Sequence, residues 1–249
     1  MTTRSNVKGR VGLHRDRWHR YAWNNSDWQP GVTSILRIQD ALDGSDGLIR
    51  WATNLAAKAA FDLARRPESA DFDDALAAAV AAVDEPRNKG TRVHAGIDAA
   101  IVGEEHFPTE ADGKTWYHFT RFLLKERPEI HATEQMVINM TAGYGGTYDI
   151  DATVRGKRSL IDTKTGKLKA SHVLQLAAYA GAEWTGAPDD AEKHPMAEFE
   201  AFYVLLLNDD GYELVPMAVG PEETEHFVYL AKTYHKLRAW GARDKEAAA

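Results

Sequence analysis

The first half of this 249-residue chain repeats its apolar positions at helical spacing, the centre alternates, and the end returns to helical spacing. Pro30-Gly-Val-Thr-Ser-Ile-Leu36 opens a helix with Thr33 or Ser34 as its cap. Leu48, Trp51, Leu55, Ala59 and Leu63 share one face of a helix predicted over Asp46–Arg66, which Pro67 ends. Asp71–Val83 is an Ala-rich helix broken at Pro86, and a further helix runs from about Arg87 to Val102. His106–Asp112 is a loop. Lys114–Arg127 is amphipathic, with Trp116, Phe119, Phe122 and Leu123 inward and Pro128 as its stop.

From Ile130 the period drops to two. Ile130–Met140 is a strand, and the run through Tyr144, Thr147, Ile150, Ala152 and Val154 is a second. Arg155-Gly-Lys-Arg158 is a turn, and Ser159-Leu-Ile-Asp162 resumes as a third strand. Ser171 is the expected N-cap of a helix carrying Gln175 and Tyr179. A polar loop follows Trp184. Glu198–Leu207 and Tyr212–Met217 form a hairpin around Asn208–Gly211, and Pro221 opens a last helix to about Trp240, with a fraying tail from Gly241. The pattern predicts an α/β fold with a central mixed sheet of about five strands flanked by helices. With no internal repeat and no dividing linker, 1–249 is expected to be a single domain: a basic aromatic segment over 1–29, a helical part over 30–128, a catalytic core over 129–184, and a hairpin with a C-terminal helix over 197–243.

Composition narrows the options. The chain is 44% hydrophobic, enough for one sizeable core. No apolar run spans a bilayer and no signal peptide is evident, so a cytoplasmic protein without membrane association is expected. Zero cysteines exclude disulfides, thiolate zinc sites and a four-cysteine iron–sulfur cluster. The net charge of -7 is not that of a nucleic-acid binder, but the charge is uneven. Arg4, Lys8, Arg10, Arg15, Arg17 and Arg20 cluster near the start against Asp16 alone. Arg155, Lys157, Arg158, Lys164, Lys167 and Lys169 cluster in the centre against Asp162 alone. Local positive potential of this kind suits a phosphate track. Trp18, Tyr21, Trp23 and Trp28 interleave with the first cluster around the turn signal Asn24–Asp27, which suggests a short aromatic hairpin able to stack bases; a core edge suits Trp23 and Trp28 better, and Trp18 and Tyr21 stay open between the two.

The chemistry concentrates between Gly143 and Tyr179. If the strands pair around Gly156, Asp162 comes beside Asp149, and Lys164 projects from the same face as Asp162. Asp151 shares the strand face of Asp149, so alternation alone does not choose between them. Two carboxylates and a lysine are costly as mere buried charges but suit a hard cation, Mg²⁺ or Mn²⁺, with the lysine free to orient water or stabilise charge on a phosphate.

Gly146-Thr-Tyr-Asp149 matches a G-x-x-D motif, Asp162-Thr-Lys164 a D/E-x-K motif, Gln175-Leu-Ala-Ala-Tyr179 a Q-x-x-x-Y motif, and Gly90-Thr-Arg-Val-His94 a G-T-x-x-H motif. In this order, over about residues 88–184, they resemble the PD-(D/E)XK nuclease superfamily and its RecB-like exonuclease branch, of the phage or mitochondrial type without an iron–sulfur cluster. Pro30–Leu36 is similar to a helix entry found there. The resemblance implies a restriction-endonuclease-like core and selects Asp149 over Asp151. It further implies metal ligation by His94, Asp149, Asp162 and the Thr163 carbonyl, and Lys164 as the catalytic lysine. Glu134 stands where related nucleases often carry an acidic residue, and is either a further metal or water ligand or an exposed strand glutamate. Gln175 and Tyr179 are implied to touch the DNA backbone or orient the ligands, and Thr165, Lys167 and Lys169 to contact phosphates.

The function implied is metal-dependent exonuclease action on DNA ends in recombination, repair or replication, with a recombinase, helicase or single-strand-binding protein as partner. A sequence-specific endonuclease, a non-catalytic DNA-binding module and a hydrolase of small phosphoesters are the alternatives. No nucleotide-binding G-x-x-x-x-G-K-[ST] loop supplies a motor within the chain.

Overall fold

The structure, a computed structural model, describes residues 11–42, 53–58, 61–62, 72–101, 103–104, 108–109, 112–187, 192–208 and 210–247. Arg4, Lys8 and Arg10 lie outside these residues, as do most of the loop expected over His106–Asp112 and much of the helix expected over Asp46–Arg66. Residues 53–58 and 61–62 of that helix are helical.

Strands β1 (Leu13–Arg15) and β2 (Tyr21–Trp23) form a two-stranded ribbon. The aromatic hairpin therefore turns at residues 16–20, upstream of Asn24–Asp27. The predicted turn still folds back, because Tyr21 and Gln29 exchange both backbone hydrogen bonds, at 2.8 and 2.7 Å. Helix α1 spans Val32–Leu42. It starts before Thr33 and Ser34, so neither caps it; the preceding Gly31 is held in a bridge to Gly145, which keeps the chain extended up to Val32.

Helix α2 (Phe72–Ile101) is continuous, although the pattern marks Pro86 as a break. A proline inside a helix forfeits one backbone hydrogen bond and crowds the preceding turn, which a 30-residue helix sustains. Helix α3 (Gly113–Glu126) buries Phe119 and Phe122 as expected and ends on Arg127 in the left-handed conformation, φ 48°.

Strands β3 (Glu129–Asn139), β4 (Tyr144–Val154) and β5 (Lys157–Lys164) are antiparallel neighbours. The β4–β5 turn is tighter than the sequence pattern indicates. Arg155 and Gly156 alone form it, with φ of 52° and 78°, the pair of positive angles that matches the twist of two-residue hairpins. Helix α4 (Ser171–Ala180) begins at Ser171, and its N-cap is Ala170 with no side-chain cap. Strands β6 (Trp184–Gly186) and β7 (His194–Pro195) occupy the predicted polar loop; at three and two residues they are too short to carry a period. Strands β8 (Ala201–Leu207) and β9 (Tyr212–Pro216) follow, then helix α5 (Pro221–Ala247). This last helix runs through Gly241 rather than fraying there; one interior glycine costs about 1 kcal/mol, too little to end it.

The fold is α/β with a mixed sheet of seven strands, ordered β7-β6-β3-β4-β5-β8-β9, where about five were expected. Among the described strands of this sheet, β5 and β8 pair in parallel and the other neighbours are antiparallel. Helices cover both faces. Val32, Leu36, Leu174, Leu176, Phe227 and Leu230 pack one face, and Val93, Ile97, Phe119 and Phe122 the other. No helix among the described residues is long and apolar enough to cross a membrane.

Two irregularities in the sheet make room for a site. Strands β4 and β5 pair only from their turn to Ile150 and Ile161; beyond this, β4 stays with β3 and β5 with β8. Asp149 and Asp162 are the first residues past that fork. Alternation also changes phase here. Tyr144 and Tyr148 join one core layer, whereas Ile150, Ala152 and Val154, at positions of the same parity, join the other. The change falls at Asp149. On β3, Glu134 stands opposite it, between the pairs Thr133–Ile150 and Gln135–Tyr148, with φ 48°.

Candidate metal centre

The fork opens into a cleft of about 1050 Å³. Its lining includes His94 and Asp98 from α2, Glu134 from β3, Asp149 from β4, and Thr163 and Lys164 from β5. Thr165, Lys167 and Lys169 of the following loop line it too, so the basic loop lies where the charge pattern indicates. Gly90 and Thr91, the start of the G-T-x-x-H motif, sit on the same wall.

One group among the described residues has its donor atoms close enough to share an ion: His94, Glu134 and Asp149, all within 4.8 Å of one another. His94 Nδ1 lies 3.4 Å from Asp149 Oδ2. The same oxygen accepts the backbone N–H of Thr163 at 2.6 Å, which ties β4 to β5 across the fork. Asp162 lies outside this triplet. Its Oδ1 accepts from Gln175 Nε2 at 3.0 Å, and its buried Oδ2 has no aligned hydrogen bond, meeting Lys164 Nζ as an ion pair at 2.5 Å. The lysine and aspartate of the D-x-K motif are thus in contact, one strand away from the triplet.

Electrostatics separates the acids by role. Burial raises the Asp149 carboxyl, but the His94 charge, its hydrogen bond and Lys164 outweigh that, and the net shift is downward. Burial pushes Asp162 up to about 6 against the pull of Lys164, with Asp149 adding to the rise. Burial and the Asp149 charge push Glu134 up to about 7. Asp149 in turn raises His94 to about 9, against the cost of burial. Burial lowers the Lys164 ammonium, but Asp162 and Asp149 more than restore it, so it is held as a cation. The centre therefore keeps protons that a divalent cation would displace.

The donor set fits a divalent cation. Two carboxylates and one imidazole converge, burial and the Asp149 charge keep a proton on Glu134 that a cation would displace, and the buried Asp162 Oδ2 beside them meets only the Lys164 ammonium.

The motifs also have visible structural reasons. A Cβ on Gly146 would lie 2.5 Å from the Tyr179 ring, so the glycine of G-x-x-D lets the tyrosine of Q-x-x-x-Y pack against β4. Gln175 and Tyr179 are both buried, and Gln175 Nε2 also reaches Tyr179 Oη at 2.9 Å. Gln175 lies behind the cleft wall, whereas Tyr179 contributes to the cleft lining. Asp151 takes the Arg158 guanidinium through both oxygens, at 3.1 and 2.7 Å, which removes both residues from the cleft chemistry.

Sequence reasoning misses the cleft residues Asp98, His172 and His19, and names Arg15 only as one of a basic cluster. Asp98 follows His94 by one helical turn, a spacing that marks it in hindsight, and it accepts a hydrogen bond from Thr133 Oγ1. His172, held at about 4 by burial and by Lys164, accepts the Lys169 N–H at 3.2 Å on Nδ1 and so shapes the basic loop. Arg15 and His19 reach the cleft from β1 and the turn after it.

No protein-family model and no curated protein matches the chain. Solved structures do. SSO0001 aligns at 18% identity and a TM-score of 0.32, over 51% of this chain and 59% of that one. An alkaline exonuclease, LHK-Exo from Laribacter hongkongensis, aligns at 13% identity and 0.35, over 64% and 85%. LHK-Exo in complex with dAMP aligns at 15% and 0.36, over 80% and 97%. Likeness at this level assigns no activity to this chain, whose functional reading comes from the site itself.

Proposed function

We propose that this protein is a metal-dependent deoxyribonuclease of the PD-(D/E)XK type that hydrolyses phosphodiester bonds at DNA ends. The observation that carries the reading is the His94–Glu134–Asp149 triplet and Lys164 in one cleft lined also by Lys167, Lys169 and Arg15, with Asp162 buried behind the lysine it pairs with. His94, Glu134 and Asp149 would hold Mg²⁺ or Mn²⁺, with Asp162 and the Thr163 carbonyl completing the donors. Bound there, the cation would act as Lewis acid on a phosphoryl oxygen and lower the pKa of a water.

The remaining work falls to the chain. Lys164, kept charged by Asp162, donates to the attacking water and offsets negative charge as it builds on phosphorus. Gln175 fixes the Asp162 carboxylate and, through it, the lysine. Thr165, Lys167 and Lys169 hold flanking phosphates, which positions the scissile bond. The cleft has room for a polynucleotide backbone, and its cationic wall favours that over a small phosphoester.

Linear DNA labelled at either end, single- or double-stranded, would be incubated with Mg²⁺ or Mn²⁺ beside a closed circle. The reading predicts that linear DNA is lost and the circle survives, with polarity given by the label released first. Cutting of the circle would replace end-directed action by endonuclease action at the same centre.

A further inference from the structure

The turn between β1 and β2 is built as a rigid platform at the rim of the cleft. Asp16 organises it: Oδ1 accepts the backbone N–H groups of Trp18 and Arg20 at 3.0 and 2.9 Å, while Oδ2 pairs with the Arg20 guanidinium at 2.6 Å. His19 adopts a left-handed conformation, φ 54°, and donates its backbone N–H to the Asp16 carbonyl at 3.0 Å, while the Asp16 N–H donates to the Arg20 carbonyl at 3.0 Å. Four of these five residues are thus tied to each other's backbone or charge, and the turn presents Trp18 with 56% of its surface exposed.

The surroundings of Trp18 are cationic. The Arg17 and Arg20 guanidiniums lie 4.1 and 5.1 Å from its ring centre. His19, the next residue, and Arg15, the last residue of β1, line the cleft that holds the metal triplet. A half-buried contact anchors the ribbon to the seven-stranded sheet, since Tyr21 Oη lies 3.1 Å from Thr147 Oγ1, two residues before Asp149. A solvated indole flanked by guanidiniums has the composition of a surface that stacks a base and holds the adjoining phosphates. Bases within a duplex offer their faces only to each other, so this surface suits an unpaired strand.

We propose that the Asp16–Arg20 turn is a nucleobase-stacking platform that admits an unpaired DNA strand to the cleft, which makes single-stranded DNA ends the substrate class. This inference rests on the deoxyribonuclease reading and deepens it. Trp18 takes a base on its exposed surface, Arg17 neutralises the neighbouring phosphate, Arg20 stays paired with Asp16 and holds the turn, and Arg15 continues the cationic path towards the triplet.

The test measures binding of the full-length protein to a labelled oligothymidylate and to a blunt duplex of equal length, with Ca²⁺ in place of the cleavage metal. Wild type, Trp18→Ala and Trp18→Phe are compared. The platform predicts tighter binding of the single strand than of the duplex. It predicts a roughly tenfold or greater loss of single-strand affinity in Trp18→Ala, the scale of one lost base–aromatic stack, with near-complete rescue in Trp18→Phe and little change for the duplex. Equal single-strand affinity of wild type and Trp18→Ala would overturn it, as would equal loss on both substrates. The two failures are separable. Metal-dependent cleavage with no effect of Trp18→Ala removes the platform alone, whereas absence of both DNA binding and cleavage removes the nuclease reading with it.

Discussion

Gln175 on α4 donates to Asp162 Oδ1 at 3.0 Å across the interior of the protein, and both side chains are buried. Gln175→Ala would leave a buried carboxylate oxygen without its donor. The expected result is a loss of about 1–3 kcal/mol in stability, the cost of a stranded buried acceptor. Activity should fall about 10–100-fold, as for other residues that orient metal-site groups. Denaturant unfolding and cleavage kinetics check the two together. Loss of stability alone would make the glutamine a structural residue only.

Lys164→Ala separates chemistry from folding. The lysine is the cation beside buried Asp162, so its loss pushes the Asp162 carboxyl above its present value of about 6 and the acid becomes protonated at neutral pH. Protonation spares the fold an unpaired buried charge. Cleavage should fall by about 100-fold or more, the cost of removing a preorganised donor to developing charge, while DNA affinity changes little. Single-turnover cleavage and a binding isotherm test this, and retained cutting would refute the role.

The centre should bind metal more tightly as pH rises. His94 titrates near 9 and Glu134 near 7, and each must release its proton to become a ligand. Calorimetry in buffers of different ionisation enthalpy should show protons released on Mn²⁺ binding, and more at pH 7 than at pH 9.5. His94→Ala should shift the Mn²⁺ titration more than DNA binding; an unchanged titration would make His94 structural.

Metal-free stability should move the opposite way. His94 is raised above its ordinary 6.5, so its contribution is complete below that pH and disappears as pH climbs through about 9. Glu134 and Asp162 are raised above 4.5 and 3.8, so the folded state loses ground as pH climbs towards 7 and 6. Asp149 is shifted downward and stays ionised throughout this range. Thermal melts in EDTA should therefore fall from pH 6 to pH 9, and Mn²⁺ should raise the melting temperature most at the alkaline end.

Glu134 holds its carboxylate in the triplet from a left-handed backbone, φ 48°, which costs a non-glycine residue about 1–2 kcal/mol. Glu134→Gly should relieve that cost, less the extra entropy of glycine, for a net gain of roughly 1 kcal/mol. The same change should weaken Mn²⁺ binding. Higher stability with lower metal affinity is the signature of a strained functional residue; a fall in both would place Glu134 among ordinary sheet residues.

Much of this centre is legible in the chain. Asp162 and Lys164 declare themselves through the glycine turn and strand alternation, whereas the choice of Asp149 over Asp151 comes only from the G-x-x-D motif of the resemblance. His94 is legible only through its motif, because a lone helical histidine has no local signature. Glu134 sits on a predicted strand, but its approach to Asp149 depends on a left-handed residue that no propensity marks. The fork is also hidden, since alternation persists on either side of it and only the phase changes at Asp149. Asp162 comes out differently from the simple picture: it meets Lys164 and Gln175, not the His94 group, because β5 leaves β4 there. Pro86 fails as a break because a long helix can carry one lost bond. Strand β6 is recruited by the edge of β3 and β7 by β6, a tertiary cause with no local pattern.

The central claim is tested most directly by incubating end-labelled linear DNA with wild type and with Asp149→Asn, each in Mg²⁺, Mn²⁺ or EDTA. Asp149 touches His94, belongs to the triplet and accepts the Thr163 N–H, so no other single residue joins as many parts of the centre. The account predicts degradation by wild type with metal only, and none by Asp149→Asn under any condition. Cutting in EDTA, cutting by Asp149→Asn at the wild-type rate, or no cutting by wild type with either metal would contradict it.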